Sequence, residues 1–268
     1  MLVTQSFDVE TQNDFQAPEI LYQDDYLVVL HKPAGLLVHP SWISPANSPN
    51  LIKWLKQQYP SDTFHTIHRL DRATSGVIVF VRNDKQAAQQ MHQQFLDRRV
   101  SKTYLCVVRG WSVAEGSIDY PLSQKKDHYA DPFASEDKPA QEALTHYRTL
   151  AHVELPIPVG RYPVARYSLV EVKPETGRKH QIRRHMKHIL HPLVGDTKHG
   201  EGRHNRLFRE HFDLRRLLLM ATEIRFDHPV ELKQMRIQAE PDETVKRLFS
   251  QLGWHDLNKL SQNPDLQV

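Results

Sequence analysis

The sequence predicts an α+β fold in which helices pack against a sheet. Apolar β-branched runs and amphipathic helical stretches follow one another irregularly, without the strict strand–helix–strand order that is typical of a parallel sheet. The chain has 268 residues and contains no internal repeat, low-complexity tract or central linker. Because this length can bury a sizeable core, we predict one domain over residues 18–268, preceded by a flexible polar leader at 1–17.

Local patterns predict the elements in chain order. Short apolar runs on both sides of the acidic turn at Asp24 predict a hairpin, and Asp84 is placed to cap the clearest helix. The predicted strands cover residues 20–22, 26–30, 77–81, 102–109, 143–151, 167–172 and 214–226. The predicted helices cover residues around 51–55, 84–98 and 179–189, and one amphipathic segment after 240. Residues 112–142, rich in charge and proline, are expected to form a long exposed excursion between strands.

Composition excludes several classes of protein. With one cysteine, Cys106, the chain can form no intramolecular disulfide and no zinc site made of several thiolates. The first residues are polar and acidic and show neither a signal peptide nor a membrane span, so we expect a cytoplasmic protein without a membrane partner. The formal net charge is only +3, and this balance alone does not indicate nucleic acid.

The most informative segment covers residues 68–76 and reads His-Arg-Leu-Asp-Arg-Ala-Thr-Ser-Gly. It places Asp71 between Arg69 and Arg72, just ahead of the apolar run at 77–81. A carboxylate on a loop fixed to a core strand, between two cations, stays ionised and can attack an electrophilic carbon. An isolated Arg-Leu-Asp would more often form a surface ion pair.

A second block, at residues 176–183, reads Thr-Gly-Arg-Lys-His-Gln-Ile-Arg and leads into a basic helix. Such a helix is often only a solvated charged face. Here Ile182, Met186 and Ile189 form an apolar stripe at helical spacing, which places Arg183 beside the buried edge.

A third block is Lys102-Thr103-Tyr104. Lys102 and Tyr104 are two residues apart in a predicted strand and should share one face. Without other context, the Tyr104 ring could simply pack in the core.

These blocks, with Lys-Pro-Ala-Gly-Leu-Leu-Val-His-Pro at 32–40 and His-Pro-Leu-Val-Gly-Asp at 191–196, resemble the RluA-type pseudouridine synthases. The resemblance extends over about residues 20–226. It implies the pseudouridine synthase fold, with a central mixed or antiparallel sheet flanked by helices and an active-site cleft across it. It also implies that uridine in RNA is isomerised, a reaction without redox change or phosphate transfer, for which we expect no cofactor and no metal.

The resemblance assigns roles to four residues. Asp71 would be the nucleophile, Arg183 would pair with it and keep it ionised, and Tyr104 would stack on the target base. Arg69 would enter the RNA stack at the place that the uridine leaves. Whether Asp71 attacks the substrate or abstracts a sugar proton stays open.

Cations near these blocks are candidates for contacts with the RNA backbone. The expected RNA-binding residues are Arg69, Arg72, Lys102, Arg178, Lys179, Arg184 and Lys187. A second cluster comprises Arg203, Arg206, Arg209, Arg215 and Arg216, for which scattered surface charge is the alternative. The spacing of the histidines at 180, 185, 188 and 191 does not favour zinc, and we expect neutral or RNA-contacting imidazoles.

The substrate is less firmly indicated than the chemistry. The stretches 136–139, 160–167, 198–200 and 211–217 resemble a tRNA-modifying branch of the family. That branch implies uracil at tRNA position 65, in the T-stem, as the target. The same chemistry on 23S ribosomal RNA is one alternative, and a non-catalytic RNA-binding protein is another. We expect a monomer, and no S4-type RNA-binding module, because only about 17 polar residues precede the first matching block.

Overall fold

The structure is a computed structural model that describes residues 16–40, 45, 48–123 and 139–255. Nearly all of the predicted leader, part of the predicted excursion and the last residues of the chain lie outside this set. Of the helices it describes, none is long and apolar enough to cross a membrane.

Strands dominate the described residues. The strands are β1 (Glu19–Gln23), β2 (Leu27–Lys32), β3 (Phe64–Thr66), β4 (Ser75–Arg82), β5 (Ser101–Arg109), β6 (Glu115–Asp119), β7 (Leu144–Leu155), β8 (Ala165–Pro174), β9 (Leu219–Asp227) and β10 (Gln234–Gln238). The helices are α1 (Leu51–Gln58), α2 (Lys85–Leu96), α3 (Gln181–His188), α4 (Gly202–Phe212) and α5 (Glu243–Gln251).

All of these strands belong to one mixed sheet. The main order is β1-β2-β4-β9-β5-β8-β7-β6, while β10 pairs with β9 and β3 pairs with β4. The β4–β9 pairing is parallel and the others are antiparallel. The α+β class with a mixed sheet is therefore confirmed.

The parallel pairing of β4 and β9 requires a glycine. Gly76 has φ +110°, and a Cβ at this position would lie 2.0 Å from the carbonyl oxygen of Ala221. No other residue type allows the two backbones to approach this closely. This contact fixes the start of β4, and with it the loop that carries Asp71.

Helices cover both sides of the sheet. On β4, Val77 and Val79 pack with α2, whereas Ile78 and Phe80 pack with α1. The same alternation holds on β5, where Leu105 and Val107 pack with α4 and α5 on one side of the sheet. Cys106 packs with α3 on the other side. The core therefore has separate layers above and below the sheet, and α1 and α3 flank the space over β5.

Most predicted elements are present, and the N-cap is confirmed, since the Asp84 carboxylate accepts a hydrogen bond from the amide of Ala87. The sequence patterns did not indicate β3, α4 or β10. β3 and β10 are short. α4 is longer, but most of its residues are polar and only Leu207 and Phe208 are buried. Such segments carry too few apolar positions to show a period.

The excursion expected at 112–142 contains a strand in the part that the structure describes, although most of the described residues there are exposed as expected. β6 pairs with β7, and Ile118 and Leu122 are buried. A strand of five residues with one covered face shows too brief an alternation to be recognised. Residues 124–138 of the predicted excursion lie outside the described residues.

Candidate active site

Asp71 lies on the loop between β3 and β4, and backbone contacts hold this loop in place. The carbonyl of Asp71 accepts a hydrogen bond from Thr74 N at 3.0 Å, and the carbonyl of Arg72 accepts one from Gly35 N at 2.8 Å. The Asp71 side chain is 28% exposed. The carboxylate therefore sits on a fixed backbone and is still partly accessible to solvent.

A buried lysine ties the same loop to the end of β2. Lys32 has no exposed surface, and its ammonium donates to the carbonyls of Pro33 at 2.9 Å, Leu36 at 2.8 Å and Arg72 at 3.0 Å. A buried ammonium is tolerated only when its donors find acceptors, and here three carbonyls supply them. Lys32 therefore joins the turn after β2 to the residue that follows Asp71.

Arg183 of α3 lies between two carboxylates. Its Nη1 donates to Asp71 Oδ2 at 2.9 Å, while Nε and Nη2 donate to the two oxygens of Asp196 at 2.7 and 2.8 Å. The guanidinium is 8% exposed. Burial alone would lower the pKa of Arg183, but the two carboxylates raise it above the ordinary value, so the group stays charged. The structure thus brings Asp71 and Arg183 together.

Asp196 is buried and fully engaged. Besides Arg183, its Oδ1 accepts hydrogen bonds from the backbone amides of Lys198 at 2.9 Å and His199 at 2.8 Å. Burial acts to raise the pKa of Asp196, but the hydrogen bonds from Arg183 and from these amides hold it below the ordinary value. The carboxylate is therefore a permanent anion that fixes the plane of the guanidinium.

Tyr104 of β5 packs against the residues under α1 and α3, beside Asp71. Burial, reinforced by the charge of Asp71, raises the pKa of Tyr104 well above its usual range. Its side chain is therefore a neutral phenol, suited to stacking and to donating a hydrogen bond.

The four histidines on and next to α3, at positions 180, 185, 188 and 191, have separate surroundings. His180 Nδ1 lies 2.9 Å from His199 Nε2, and His180 Nε2 lies 3.8 Å from Asp71 Oδ2. His185 bonds to Thr145 Oγ1, His188 stacks on Tyr120, and His191 bonds to the carbonyl of Arg109. Within the described residues, no group of three or more potential ligands is placed to hold a metal ion.

A model of the RNA pseudouridylate synthase family matches residues 26–188, which is more than half of the chain. The chain belongs to this family. Its relatives include tRNA pseudouridine synthase C of Vibrio parahaemolyticus, 48% identical over 238 residues, which are 89% of this chain and 96% of that protein. The same-named protein of Salmonella typhi is 46% identical over 239 residues, 89% of this chain and 91% of that protein.

Solved structures agree with the family assignment. Human RNA Pseudouridylate Synthase Domain Containing 1 matches with a TM-score of 0.64 at 27% identity, over 84% of this chain and 84% of that chain. Human RNA Pseudouridylate Synthase Domain Containing 4 matches with a TM-score of 0.63 at 25% identity, over 87% of this chain and 92% of that chain. The expected family and the pseudouridine synthase fold are confirmed.

The cations expected to bind RNA occupy different environments in this synthase fold. Arg69, Lys179 and Lys187 are exposed, and Arg72 is exposed while its Nε donates to the carbonyl of Gly35 at 2.9 Å. The remaining three, Lys102, Arg178 and Arg184, are partly buried. Lys102 lies over the Phe95 ring, and Arg178 donates to the carbonyl of Glu142. Arg184 lies on the side of α3 that is near Tyr120. The seven cations therefore differ in how much of each side chain reaches the surface.

The second arginine cluster is divided in the same way. Arg203, Arg206, Arg209 and Arg215 are exposed on or just after α4. Arg216 instead pairs with Asp242 and donates to Ser75 Oγ at 2.6 Å. Arg216 therefore links the start of β4 to the segment before α5 and does not belong to the exposed group.

The sequence motifs predict no role for Lys32, Asp196 or His199, and they indicate His180 only as one of several neutral or RNA-contacting histidines. Lys32 and Asp196 lie inside the blocks that carry the family resemblance, and that position was the available signal. Their partners are distant in sequence, however. The Asp196 carboxylate acts through Arg183, thirteen residues earlier, and no local pattern encodes that contact.

Proposed function

We propose that this protein is an RNA pseudouridine synthase that converts a uridine of tRNA to pseudouridine. One observation carries the proposal: a partly exposed carboxylate, Asp71, is held by a single donor of a buried arginine that a second carboxylate fixes. Such an arrangement supplies an ionised, oriented and accessible nucleophile.

The reaction breaks the bond between N1 of uracil and C1′ of ribose, turns the base and joins C5 to C1′. Asp71 is placed to act on the sugar, either as the nucleophile or as the group that abstracts a sugar proton. Its Oδ2 faces Arg183, and Oδ1 accepts no hydrogen bond from any described residue. That free oxygen is the one we assign to the substrate. No redox change or phosphate transfer occurs, so the proposal includes no cofactor.

Tyr104 is proposed to stack on the uracil beside Asp71. A uridine inside a stem must be flipped out first, at a cost of a few kcal/mol. Stacking on a flat side chain is worth about 1–3 kcal/mol per base and offsets part of this cost. Arg69 is exposed two residues before Asp71 and is proposed to fill the space that the base leaves.

The proposed target is uracil at position 65 in the T-stem of tRNA. Two observations support it, the stretches that resemble the tRNA-modifying branch and the names of the relatives described above. We further propose a single catalytic domain over residues 18–268, acting as a monomer in the cytoplasm.

The test is to map pseudouridine in tRNA and ribosomal RNA from cells with and without this protein. Loss of one T-stem site in tRNA is expected. Loss of a site in 23S ribosomal RNA instead would move the substrate and keep the chemistry. No change in either RNA would favour a binding protein without catalysis.

A reconstituted reaction sharpens the target. Purified protein should modify a tRNA transcript that carries uridine at position 65 and leave unmodified a matched transcript with cytidine there. Modification of both transcripts would contradict the proposed position.

A further inference from the structure

We propose that His180 is a catalytic base that removes the C5 proton of the uracil, and that His199 is the positioning residue that aligns it. The proposal rests on the proposed function, since it assigns a group to one step of pseudouridine formation. It concerns a residue for which neither the sequence motifs nor the family match supplies a role.

The geometry places an imidazole nitrogen at the edge of the reacting space. His180 Nε2 lies 3.8 Å from Asp71 Oδ2, beyond hydrogen-bonding distance, and no described residue donates to it or accepts from it. The other nitrogen, Nδ1, lies 2.9 Å from His199 Nε2. One imidazole nitrogen is thus held by a partner while the second faces the carboxylate that acts on the sugar.

The bond between the two rings defines what His180 can do. When His180 Nδ1 carries the proton and donates to His199 Nε2, the free Nε2 of His180 is an acceptor and can take a proton. When the proton lies on His199 Nε2, His180 Nε2 becomes a donor directed at Asp71. When His180 Nε2 takes a proton from the substrate, the proton on Nδ1 can pass along this bond to His199 Nε2, so that the two rings share the positive charge.

Burial and the surrounding cations favour the neutral form of both rings before reaction. Burial lowers the pKa of His180, and the charges of Arg183, Lys198 and Lys179 act in the same direction, while Asp71 opposes them. Burial lowers the pKa of His199 to about 4, helped by Arg183, His180 and Lys187 and opposed by Asp196. A neutral imidazole is the form that accepts a proton.

The other groups near Asp71 are poor candidates for this step. Tyr104 keeps its proton because burial and the charge of Asp71 raise its pKa. Arg183 stays charged between its two carboxylates. Asp71 has left the sugar once C5 is bonded to C1′, and its Oδ2 is then held by the Arg183 guanidinium. Lys32 directs its amino group at three backbone carbonyls. His180 Nε2 is a basic nitrogen 3.8 Å from Asp71 Oδ2 with no hydrogen-bond partner among the described residues.

The step balances without any additional reactant. When C5 has joined C1′, the ring contains a tetrahedral C5 that still holds its hydrogen, and a double bond between C6 and N1. Nε2 of His180 takes that proton, and the electron pair of the C–H bond restores the double bond between C5 and C6. The pair of the former C6–N1 double bond moves to N1, which takes a proton from the imidazolium or from water. One proton has moved from C5 to N1.

The backbone at His180 offers a matched variant. His180 has φ +55°, in the left-handed region, and asparagine is among the few residues that adopt it readily. The asparagine amide reaches about as far as Nδ1, so His180→Asn keeps the backbone and a polar partner for His199. What it removes is Nε2.

The experiment compares wild-type protein and His180→Asn on tRNA with hydrogen or deuterium at C5 of the target uridine. We expect kcat to fall about 10²-fold or more, the range for losing a general base, while KM changes little. A primary isotope effect should appear in the variant and exceed that of the wild type, because removal of the C5 proton becomes rate-limiting. A purely structural role would lower kcat without changing the isotope effect.

A second variant tests the same atom by rescue. Glycine also fits the left-handed backbone, and His180→Gly leaves a space that free imidazole can enter. Added imidazole should restore a measurable part of the activity of His180→Gly and have no effect on the wild type. Absence of rescue, together with an unchanged isotope effect in His180→Asn, would overturn the proposal.

His199→Gln tests the positioning role, because a glutamine amide can still bond to His180 Nδ1 but cannot exchange a proton as imidazole does. We expect a smaller loss of kcat than for His180→Asn, with the isotope effect raised in the same direction.

The activity of the wild-type protein distinguishes failure of the proposed function from failure of the role of His180 alone. If wild-type protein forms no pseudouridine in tRNA or ribosomal RNA, the proposed function fails and this proposal fails with it. If the wild type is active and His180→Asn retains full kcat, only the role of His180 is rejected.

Discussion

Two carboxylates contact the same arginine, and their surroundings differ. Asp196 is buried and accepts hydrogen bonds from Arg183 Nε and Nη2 and from two backbone amides. Asp71 is 28% exposed and receives one hydrogen bond from Arg183, through Nη1. Both contact the same guanidinium, yet only Asp71 keeps an oxygen without a hydrogen-bond partner among the described residues.

The difference separates an anchor from a reactive group. Hydrogen bonds to an ionised oxygen stabilise the charge and reduce its tendency to attack carbon. If Arg183 formed a bidentate pair with Asp71, both oxygens of the nucleophile would be engaged. Asp196 takes two donors of the guanidinium and thereby leaves one oxygen of Asp71 accessible.

The largest expected effect follows replacement of the reactive carboxylate. Asp71→Asn should lower kcat for pseudouridine formation by about 10⁴-fold or more, as for loss of an essential nucleophile. The unfolding free energy should change by less than about 1 kcal/mol, because Asp71 is partly exposed and its amide replacement still accepts from Arg183. Product formation by purified protein and chemical denaturation measure the two quantities. Sustained turnover by Asp71→Asn would remove the assignment of Asp71.

Replacement of the anchor should affect both quantities. Asp196→Asn leaves Arg183 buried with a weaker partner, and breaking a buried pair typically costs about 3–5 kcal/mol. We expect kcat to fall by about 10²-fold as well, since the guanidinium loses its fixed orientation. If activity fell while stability remained at the wild-type level, Asp196 would have to act on the substrate instead.

The stability that Asp196 contributes should depend on pH. Its pKa is lower in the folded than in the unfolded chain, mainly because the hydrogen bonds from Arg183 outweigh the cost of burial. The contribution is therefore fully present above a pH of about 4 and is lost as the pH falls through the folded pKa. The difference in unfolding free energy between wild type and Asp196→Asn should shrink below that pH. A constant difference down to pH 2 would contradict this linkage.

The activity should depend on the ring of Tyr104 more than on its hydroxyl. Tyr104→Phe keeps a flat surface, and kcat should change by less than about threefold if stacking is the role. Tyr104→Ala should weaken catalysis by an amount equal to about 1–3 kcal/mol of lost stacking. Steady-state kinetics on tRNA distinguish the two. A collapse of activity in Tyr104→Phe would mean that the hydroxyl moves a proton.

The sequence predicts the reactive carboxylate better than its anchor. Asp71, Arg183 and Tyr104 lie in motifs that can be recognised locally, and the long apolar or amphipathic elements show clear periods. Contacts between segments distant in sequence determine the roles of Lys32, Asp196 and the His180–His199 pair. The Lys32 ammonium, for example, reaches the carbonyl of a residue forty positions later. Such contacts are set by tertiary packing and leave no local pattern.

The fold shows the same limit. The order of the sheet depends on the close approach of β4 and β9 at Gly76, which is more than 140 residues away from its partner strand along the chain. Nothing in the string Thr-Ser-Gly states which strand that glycine will meet. The α+β class follows from composition and periodicity, while the strand order does not.

The smallest expected effect concerns the exposed arginines and extends the comparison from carboxylates to cations. Arg206 is exposed on α4, whereas Arg216 is bonded to Asp242 and Ser75. If Arg206 contacts a phosphate, Arg206→Ala should weaken tRNA binding a few-fold and reduce the slope of log affinity against log salt by about 1. Its unfolding free energy should stay within about 0.5 kcal/mol of the wild type. Arg216→Ala, the matched control, should lower stability by about 1–3 kcal/mol and leave the salt slope unchanged. If the two variants behaved alike, the division of this cluster into free and engaged cations would be wrong, because a cation already held by Asp242 has no charge to offer to RNA.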